Sequence, residues 1–299
     1  MPTSKTSSAT LIDGTALSAT IRSEVKSEVE EWTERHENPP HLAVVLVGDN
    51  PASASYVRGK ARAAAEVGIT SDTLRYDESV TEAELLSKIA QLNEDPGVHG
   101  ILVQLPLPLH ISPDVVLQAV SPVKDVDGFH PENAGKLLTD IPGMVPATPL
   151  GILEMLKRYD IPTKGMDAVV VGRSTIVGRP LAALLGGKRG NATVTVCHRA
   201  TRDLARHTRA ADILTVAAGH PNLITADMVK PGATVIDVGI NRVPDESRER
   251  GYRLTGDVDF AAVREKAGFI TPVPGGVGPM TIAMLLRNTL LAAKNQTSG

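Results

Sequence analysis

Short, almost wholly apolar runs that stop abruptly at a glycine or polar residue, with helical spacing between them, constrain this chain more than any other feature. The first, "LAVVLV" at 42–47, halts at Gly48 and Asp49, and others stand at 168–171, 193–197, 213–217 and 234–238. The first has strand length and no polar face, the form of a strand covered on both sides. Weaker strand candidates lie at 71–76, 99–104 and 269–271; Pro106 and Pro108 end the second, since neither can donate to a ladder. Residues 15–33 place Leu17, Ile21, Val25, Val29 and Trp32 on one helical side, and alanine-rich 52–67 is a second helix. Thr81-Glu-Ala-Glu84 opens a third with a capping box, and 150–159, before Pro162, is a fourth. Alternation of this kind demands right-handed crossovers and a parallel sheet, so the fold class is α/β. At 299 residues the length suggests two domains of roughly 150 each. Three prolines at 142–149 place the boundary there, giving domains 1–148 and 149–279, the second Rossmann-like. The last helix, 281–293, could pack on either half.

Composition narrows the ligand class. A formal charge of −3 with 42% hydrophobic residues and no long basic run argues against a nucleic acid or an anionic membrane as partner. A small molecule is the better expectation. No apolar stretch approaches the ~18 residues of a membrane span, and the opening "MPTSKTSSAT" has no signal-peptide core and reads as disordered. Cys197 is the only cysteine, which excludes an intrachain disulfide and fits a reducing compartment, the cytoplasm. The eight histidines show no ligand spacing, and Asp125 with Asp127 is too sparse for a centre, so no metal is expected.

The stretch "AVVVGRSTIVGRPLAALL" at 168–185 has the layout of a dinucleotide-binding strand–turn–helix, yet Arg173 and Ser174 replace the usual second glycine. With a strand at 169–171 and a helix at 177–185, the turn aims free amides at whatever lies above it. Arg173 adds a phosphate clamp, Ser174 a hydroxyl donor, and Pro180 suits a first helical turn. The plainer alternative is an ordinary turn with a solvated arginine. The next strand runs into His198-Arg199 with no carboxylate before Asp203, which favours NADP over NAD unless these are merely surface basics. Cys197, at the same strand end, is expected to be a packed residue.

Different chemistry lies in the first half. Tyr56 and Lys60 share a helical face that begins where the first strand delivers its C-terminal end. Burial there would lower a lysine from near 10.4 toward neutrality, where proton transfer is useful; an exposed Tyr/Lys pair is the alternative. Gln104 closes an apolar strand and either faces a cleft or caps it. "KDVDGF" at 124–129 places two carboxylates two apart, as a turn, ligand anchor or metal site would. Three prolines and three glycines in 271–281 make a stiff loop, either a ligand lining or a connector.

"PASASYVRGKARAAAEVGI", "GILVQLPLP", "KDVDGFHPENAGKL", "VVVGRSTIVGRP" and "TPVPGGVGPMTIAML", in this order, resemble the bifunctional methylenetetrahydrofolate dehydrogenase/cyclohydrolase family over nearly the whole chain. The resemblance implies an NADP-dependent homodimeric enzyme of one-carbon metabolism. Such an enzyme oxidises 5,10-methylenetetrahydrofolate to the methenyl compound and hydrolyses that to 10-formyltetrahydrofolate. Two α/β domains around a cleft are implied, with 280–299 returning to the first, folate-binding domain. By position, Tyr56, Lys60, Gln104 and Asp127 fall on the family's catalytic and substrate positions. Tyr56 would stack on the pterin, Asp127 accept its neighbouring N–H donors, Lys60 shuttle the proton and Gln104 hold the amine. Gly172, Arg173 and Ser174 fall on the NADP turn, Arg199 on the 2′-phosphate region, where many relatives carry serine, and Ile240 on a nicotinamide contact. Pro272 and Gly276 match a loop lining the folate cleft. Rival readings are another NADP-linked dehydrogenase acting on a hydroxy acid, a non-catalytic NADP-binding regulator, and a dehydrogenase with weak cyclohydrolase activity.

Overall fold

Parallel pairing dominates, as covered apolar strands require. The computed structural model describes residues 8–248 and 251–297; residues 1–7 of the segment expected to be disordered lie outside them. In chain order come strand β1 (Thr10–Leu11), helix α1 (Gly14–Thr33), β2 (His41–Val47), α2 (Pro51–Glu66), β3 (Thr70–Tyr76), α3 (Glu82–Glu94) and β4 (Gly100–Val103). Helices α4 (Pro113–Ala119), α5 (Pro131–Leu138) and α6 (Ala147–Arg158) follow. Then β5 (Asp167–Val171), α7 (Gly178–Gly186), β6 (Thr193–Cys197), α8 (Leu204–Thr208), β7 (Ile213–Val216) and β8 (Thr234–Asp237) alternate. The hairpin β9 (Asn241–Pro244) and β10 (Tyr252–Thr255), α9 (Phe260–Arg264), β11 (Phe269–Ile270) and α10 (Val277–Thr297) complete the chain.

The chain divides into two compact units, one holding the described residues up to Ser18 with Thr148–Thr281, the other Ala19–Ala147 with Ile282 onward. Thus residues 8–18 group with the second half, not with the first as the boundary at 148 would have it. Thr10 and Leu11 pair in parallel with Phe269 and Ile270, so this part of the tail is an edge strand and not disordered.

In the unit containing Thr148–Thr281, six strands lie in the order β1-β11-β8-β7-β5-β6, every pairing parallel. From β5 the chain moves out to β6 and then crosses back to β7, so the switch point, where such sheets bind ligands, falls between β5 and β7. Val169, Val171, Leu214, Val216, Val235 and Ile270 supply its buried core. Only a single 3-10 turn, Ala226–Met228, joins β7 to β8 in place of the expected helix.

The other unit has a parallel sheet ordered β3-β2-β4. Val45, Leu85, Ile89 and Ile101 are fully buried in its core. Thr81 and Glu84 form the expected reciprocal capping box on α3. Helix α10 starts four residues before the expected 281, because Pro279 is accepted in a first turn where its missing N–H costs nothing. Its later turns belong here: Lys294 pairs with Glu28 (2.6 Å), Arg287 with Glu24 (3.0 Å), and the Gln296 side chain donates to the His99 carbonyl (2.8 Å).

Buried His99 lies edge-on to Trp32, and its Nδ1 accepts the His41 amide at 3.0 Å. Desolvation, then the charges of His41, Lys124 and His36, hold its pKa below the usual 6.5, with Asp95 opposing. The unfolded chain therefore binds this proton more readily than the folded one, and stability present above pH 6.5 is lost as pH falls below it. Thermal midpoints are expected to drop between pH 7 and 5, and His99→Gln, which keeps an acceptor for His41 but cannot titrate, should flatten that slope; calorimetry across this range checks it.

Candidate active site

Each unit presents its own group of chemically competent residues at the C-terminal ends of its strands. In the unit built on β2, Asn50 caps α2, its side chain accepting from Ala52 (2.9 Å) and Ser53 (3.2 Å), and Pro51 fits the first turn. The capped helix carries Lys60 three turns in, where Nζ donates to Gln104 Oε1 at 3.1 Å. Gln104 cannot flip, because its Nε2 donates to the Leu105 carbonyl (2.7 Å) while its backbone amide still pairs with Val45 (2.9 Å). Burial lowers the Lys60 pKa; the nearby Asp127 charge opposes that shift. Asp127 is pushed up to about 6, mainly by burial, with Lys60 pulling it down and Asp125 raising it. Tyr56, one turn before Lys60, is exposed. The structure brings Lys60, Gln104 and Asp127 together and leaves Tyr56, expected to stack on a ligand, exposed one turn away.

The two carboxylates of "KDVDGF" separate in role. Buried Asp125 accepts from the His130 amide (2.8 Å) and from Asn133 Nδ2 (2.9 Å), and its backbone bridges to Ile101 at the edge of β4. It anchors a turn. Lys124 is spent on the carbonyls of Leu92 (3.0 Å) and Asp95 (2.6 Å). Asp127 alone of the three is left for a ligand, and among the described residues no three His, Cys, Asp or Glu cluster as metal ligands would.

In the other unit, Gly172 follows β5 with φ of 124°, its amide donating to Cys197 (2.8 Å). A Cβ there would collide with the Ala217 carbonyl, and one on Gly178 would collide with the Gly172 carbonyl. The turn therefore touches both the strand after the switch point and its own helix, which only glycine permits. Residues 173–176 are exposed. Ser174 is engaged within the turn: its Oγ accepts the amides of Val177 (3.1 Å) and Gly178 (3.4 Å), and its carbonyl takes Arg179 N (3.0 Å). The amides of Val177, Gly178 and Arg179 at the start of α7 are thus satisfied within the turn; the cause is the Ser/Thr preference for local backbone acceptance. Arg173 and Arg199 stand two residues past the paired Val171 and Cys197, both exposed. Cys197 is buried, and burial raises its thiol pKa.

Ile240 is half-exposed on the loop after β8, unusual for isoleucine. Pro272 and Gly276 belong to this unit, and buried Gly276 packs so closely on Thr271, Pro272 and Gly14 that its role is backbone approach. Sequence reasoning missed the carboxylates that brace these loops. Asp237 accepts from Gly239 (3.0 Å), Asp257 (2.9 Å) and Val258 (3.0 Å), and burial still pushes it up to about 6. Asp257 accepts from Ala218 (2.6 Å), Gly219 (2.8 Å) and Asn241 Nδ2 (2.9 Å), joining the loop after β7 to the start of β9. The signal was available: a carboxylate ending the apolar run "TVID" must find donors.

A parallel sheet with a glycine-and-arginine turn at its switch point, in a chain whose second unit holds a desolvated lysine against a glutamine, defines the class of two-unit α/β nucleotide-dependent enzymes. Comparison with known proteins gives the family. The model described as the tetrahydrofolate dehydrogenase/cyclohydrolase catalytic domain matches residues 12–127, and that of its NAD(P)-binding domain residues 146–297. The bifunctional protein FolD of Salinibacter ruber is 61% identical over 96% of this chain and 97% of that relative. The bifunctional FolD methylenetetrahydrofolate dehydrogenase/cyclohydrolase structure from Campylobacter jejuni is 52% identical, TM-score 0.91, over 96% and 99% of the two chains. The Trypanosoma brucei enzyme, complexed with NADP and an inhibitor, is 40% identical with TM-score 0.92, each chain covered in full. The chain belongs to the tetrahydrofolate dehydrogenase/cyclohydrolase family.

Gly172→Ala is expected to destabilise the protein by about 2 kcal/mol or more, combining a left-handed backbone with a clash against Ala217. A chemical denaturation midpoint unchanged from the parent would contradict this packing.

Proposed function

We propose that this chain oxidises 5,10-methylenetetrahydrofolate to the methenyl compound with NADP and hydrolyses that compound to 10-formyltetrahydrofolate. The observation that carries the proposal is the Lys60 amine, desolvated, held at 3.1 Å by a Gln104 side chain that is itself fixed, with the Asp127 charge nearby.

Hydrolysis makes the heavier demand. Water forms a C–O bond to the methenyl carbon and must lose a proton; the C–N bond to a ring nitrogen then breaks and that nitrogen must gain one. A neutral Lys60 amine donates one N–H to Gln104 and keeps its lone pair for the water proton; the resulting ammonium returns a proton to the departing nitrogen. The second hydroxyl proton leaves to solvent, so the step releases one proton overall. Asp127, a half-buried carboxylate, accepts neighbouring N–H donors of the pterin, and exposed Tyr56 supplies a ring for stacking.

Oxidation relies on positioning, since nitrogen lone pairs stabilise the cation formed and no strong acid is needed. NADP, when bound, accepts the hydride from the one-carbon unit. The residues present fit it: Gly172 lets the turn pack directly against the Ala217 carbonyl, and Arg173 and Arg199 offer exposed cations just past β5 and β6. Arg173 and the Ser174 hydroxyl would meet the pyrophosphate, Arg199 the 2′-phosphate, and Ile240 the nicotinamide end.

Lys60→Met should lower hydrolysis of the methenyl compound by about a hundredfold or more while leaving NADP affinity intact. Loss of methenyl absorbance measured beside an NADP titration tests this, and undiminished hydrolysis would remove Lys60 from the reaction. Arg199→Ser should cut the preference for NADP over NAD, as a ratio of kcat/KM values, by roughly tenfold or more. Equal ratios before and after would dismiss Arg199 as the 2′-phosphate contact.

A further inference from the structure

Asn288 sits in the part of α10 that belongs to the lysine-bearing unit, and it is almost wholly buried. Its Nδ2 donates to two main-chain carbonyls, Val126 at 2.8 Å and Val145 at 2.9 Å. Both acceptors are carbonyls, so the orientation of the amide is settled by chemistry. The carbonyls lie far from Asn288 in sequence and flank one tight contact: a Cβ on Gly128 would come within 2.6 Å of the Pro146 nitrogen and 2.7 Å of the Val145 carbonyl carbon. Gly128 has φ of 71°, so residues 126–128 turn sharply onto residues 145–146, and Asp127 occupies the middle of that turn. Val126 before it is fully buried. From the other side, Asp125 holds the His130 amide and Asn133. The Asp127 backbone is thereby fixed from both directions, once within its own loop and once from the C-terminal helix.

We infer that Asn288 is a positioning residue for Asp127: by tying the carbonyls of Val126 and Val145 together it sets where the Asp127 carboxylate meets the folate. This rests on the proposed role of Asp127. A merely architectural asparagine would lower stability and leave ligand affinities in proportion. A positioning residue shifts folate affinity selectively and only while Asp127 is present to be positioned. None of these hydrogen bonds involves the arginine-bearing turn, so NADP affinity lies outside their reach.

The test is a double-mutant cycle on the full-length protein with Asn288→Ala and Asp127→Asn, measuring KM for methylenetetrahydrofolate, KM for NADP, kcat and thermal midpoint. Asn288→Ala should raise the folate KM on the order of tenfold, with the KM for NADP unchanged. Added to Asp127→Asn, it should raise the folate KM no further. Asn288→Ser, which retains one donor, should fall between parent and alanine variant, and it carries the cycle if the alanine variant does not fold. Equal increments in the parent and in the Asp127→Asn background, or an unchanged folate KM in the single variant, would overturn the inference. Should Asp127→Asn alone leave the folate KM unchanged, the assignment of Asp127 itself falls, and the purpose given to Asn288 falls with it.

Discussion

Everything chemical in the lysine-bearing unit depends on removing one ammonium group from water. A charged Lys60 beside the covered end of β2 loses hydration that a single hydrogen bond to Gln104 replaces only in part, so the neutral amine becomes accessible. The Asp127 carboxylate works against this by attraction, yet burial outweighs it at Lys60, and the carboxylate is itself pushed up to about 6, mainly by burial. The two groups form a coupled pair whose charge state a ligand on Asp127 would alter. Capping of α2 by Asn50 and the locked amide of Gln104 convert this electrostatic balance into a fixed geometry.

The other unit uses carboxylates in the opposite way. Asp237 and Asp257 are enclosed by backbone amides, and both brace loops at the ends of β7 and β8. They have no free face to offer a ligand. Their glycine neighbours confirm how closely they are held, because a Cβ on Gly239 would strike Asp257 and one on Gly256 would strike Asp237. Burial alone therefore does not mark a functional acid; what matters is whether its oxygens are already filled.

Much of this was legible in the chain because it depends on periodicity. The covered strands and the capped helices α2 and α3 carry their signals locally, and Tyr56 and Lys60 share a face by spacing alone. Arg173 and Arg199 were placed by knowing where strands end. What escaped has long-range causes. Thr10–Leu11 becomes a strand only because Phe269–Ile270 offers an edge, and nothing within the first residues encodes that partner. Ser174 was read as a donor to ligand, and the sequence reading did not give its hydroxyl the further role of accepting the Val177 and Gly178 amides. Asn288 is an ordinary polar residue in an apolar helix until the two carbonyls it joins are seen.

The satisfied amides at the start of α7 bear on how a dinucleotide is held. With the backbone donors of Val177, Gly178 and Arg179 engaged by Ser174, the proposed phosphate contacts would rest more on the exposed guanidinium groups of Arg173 and Arg199 than on those amides. Coulombic attraction between exposed charges reaches about 8–10 Å at physiological ionic strength and shrinks as salt is added. Cofactor capture in the proposed enzyme is thus set by the surrounding electrolyte as well as by the fit of the turn, and a host with a salt-rich interior would need a higher dinucleotide concentration to keep it loaded.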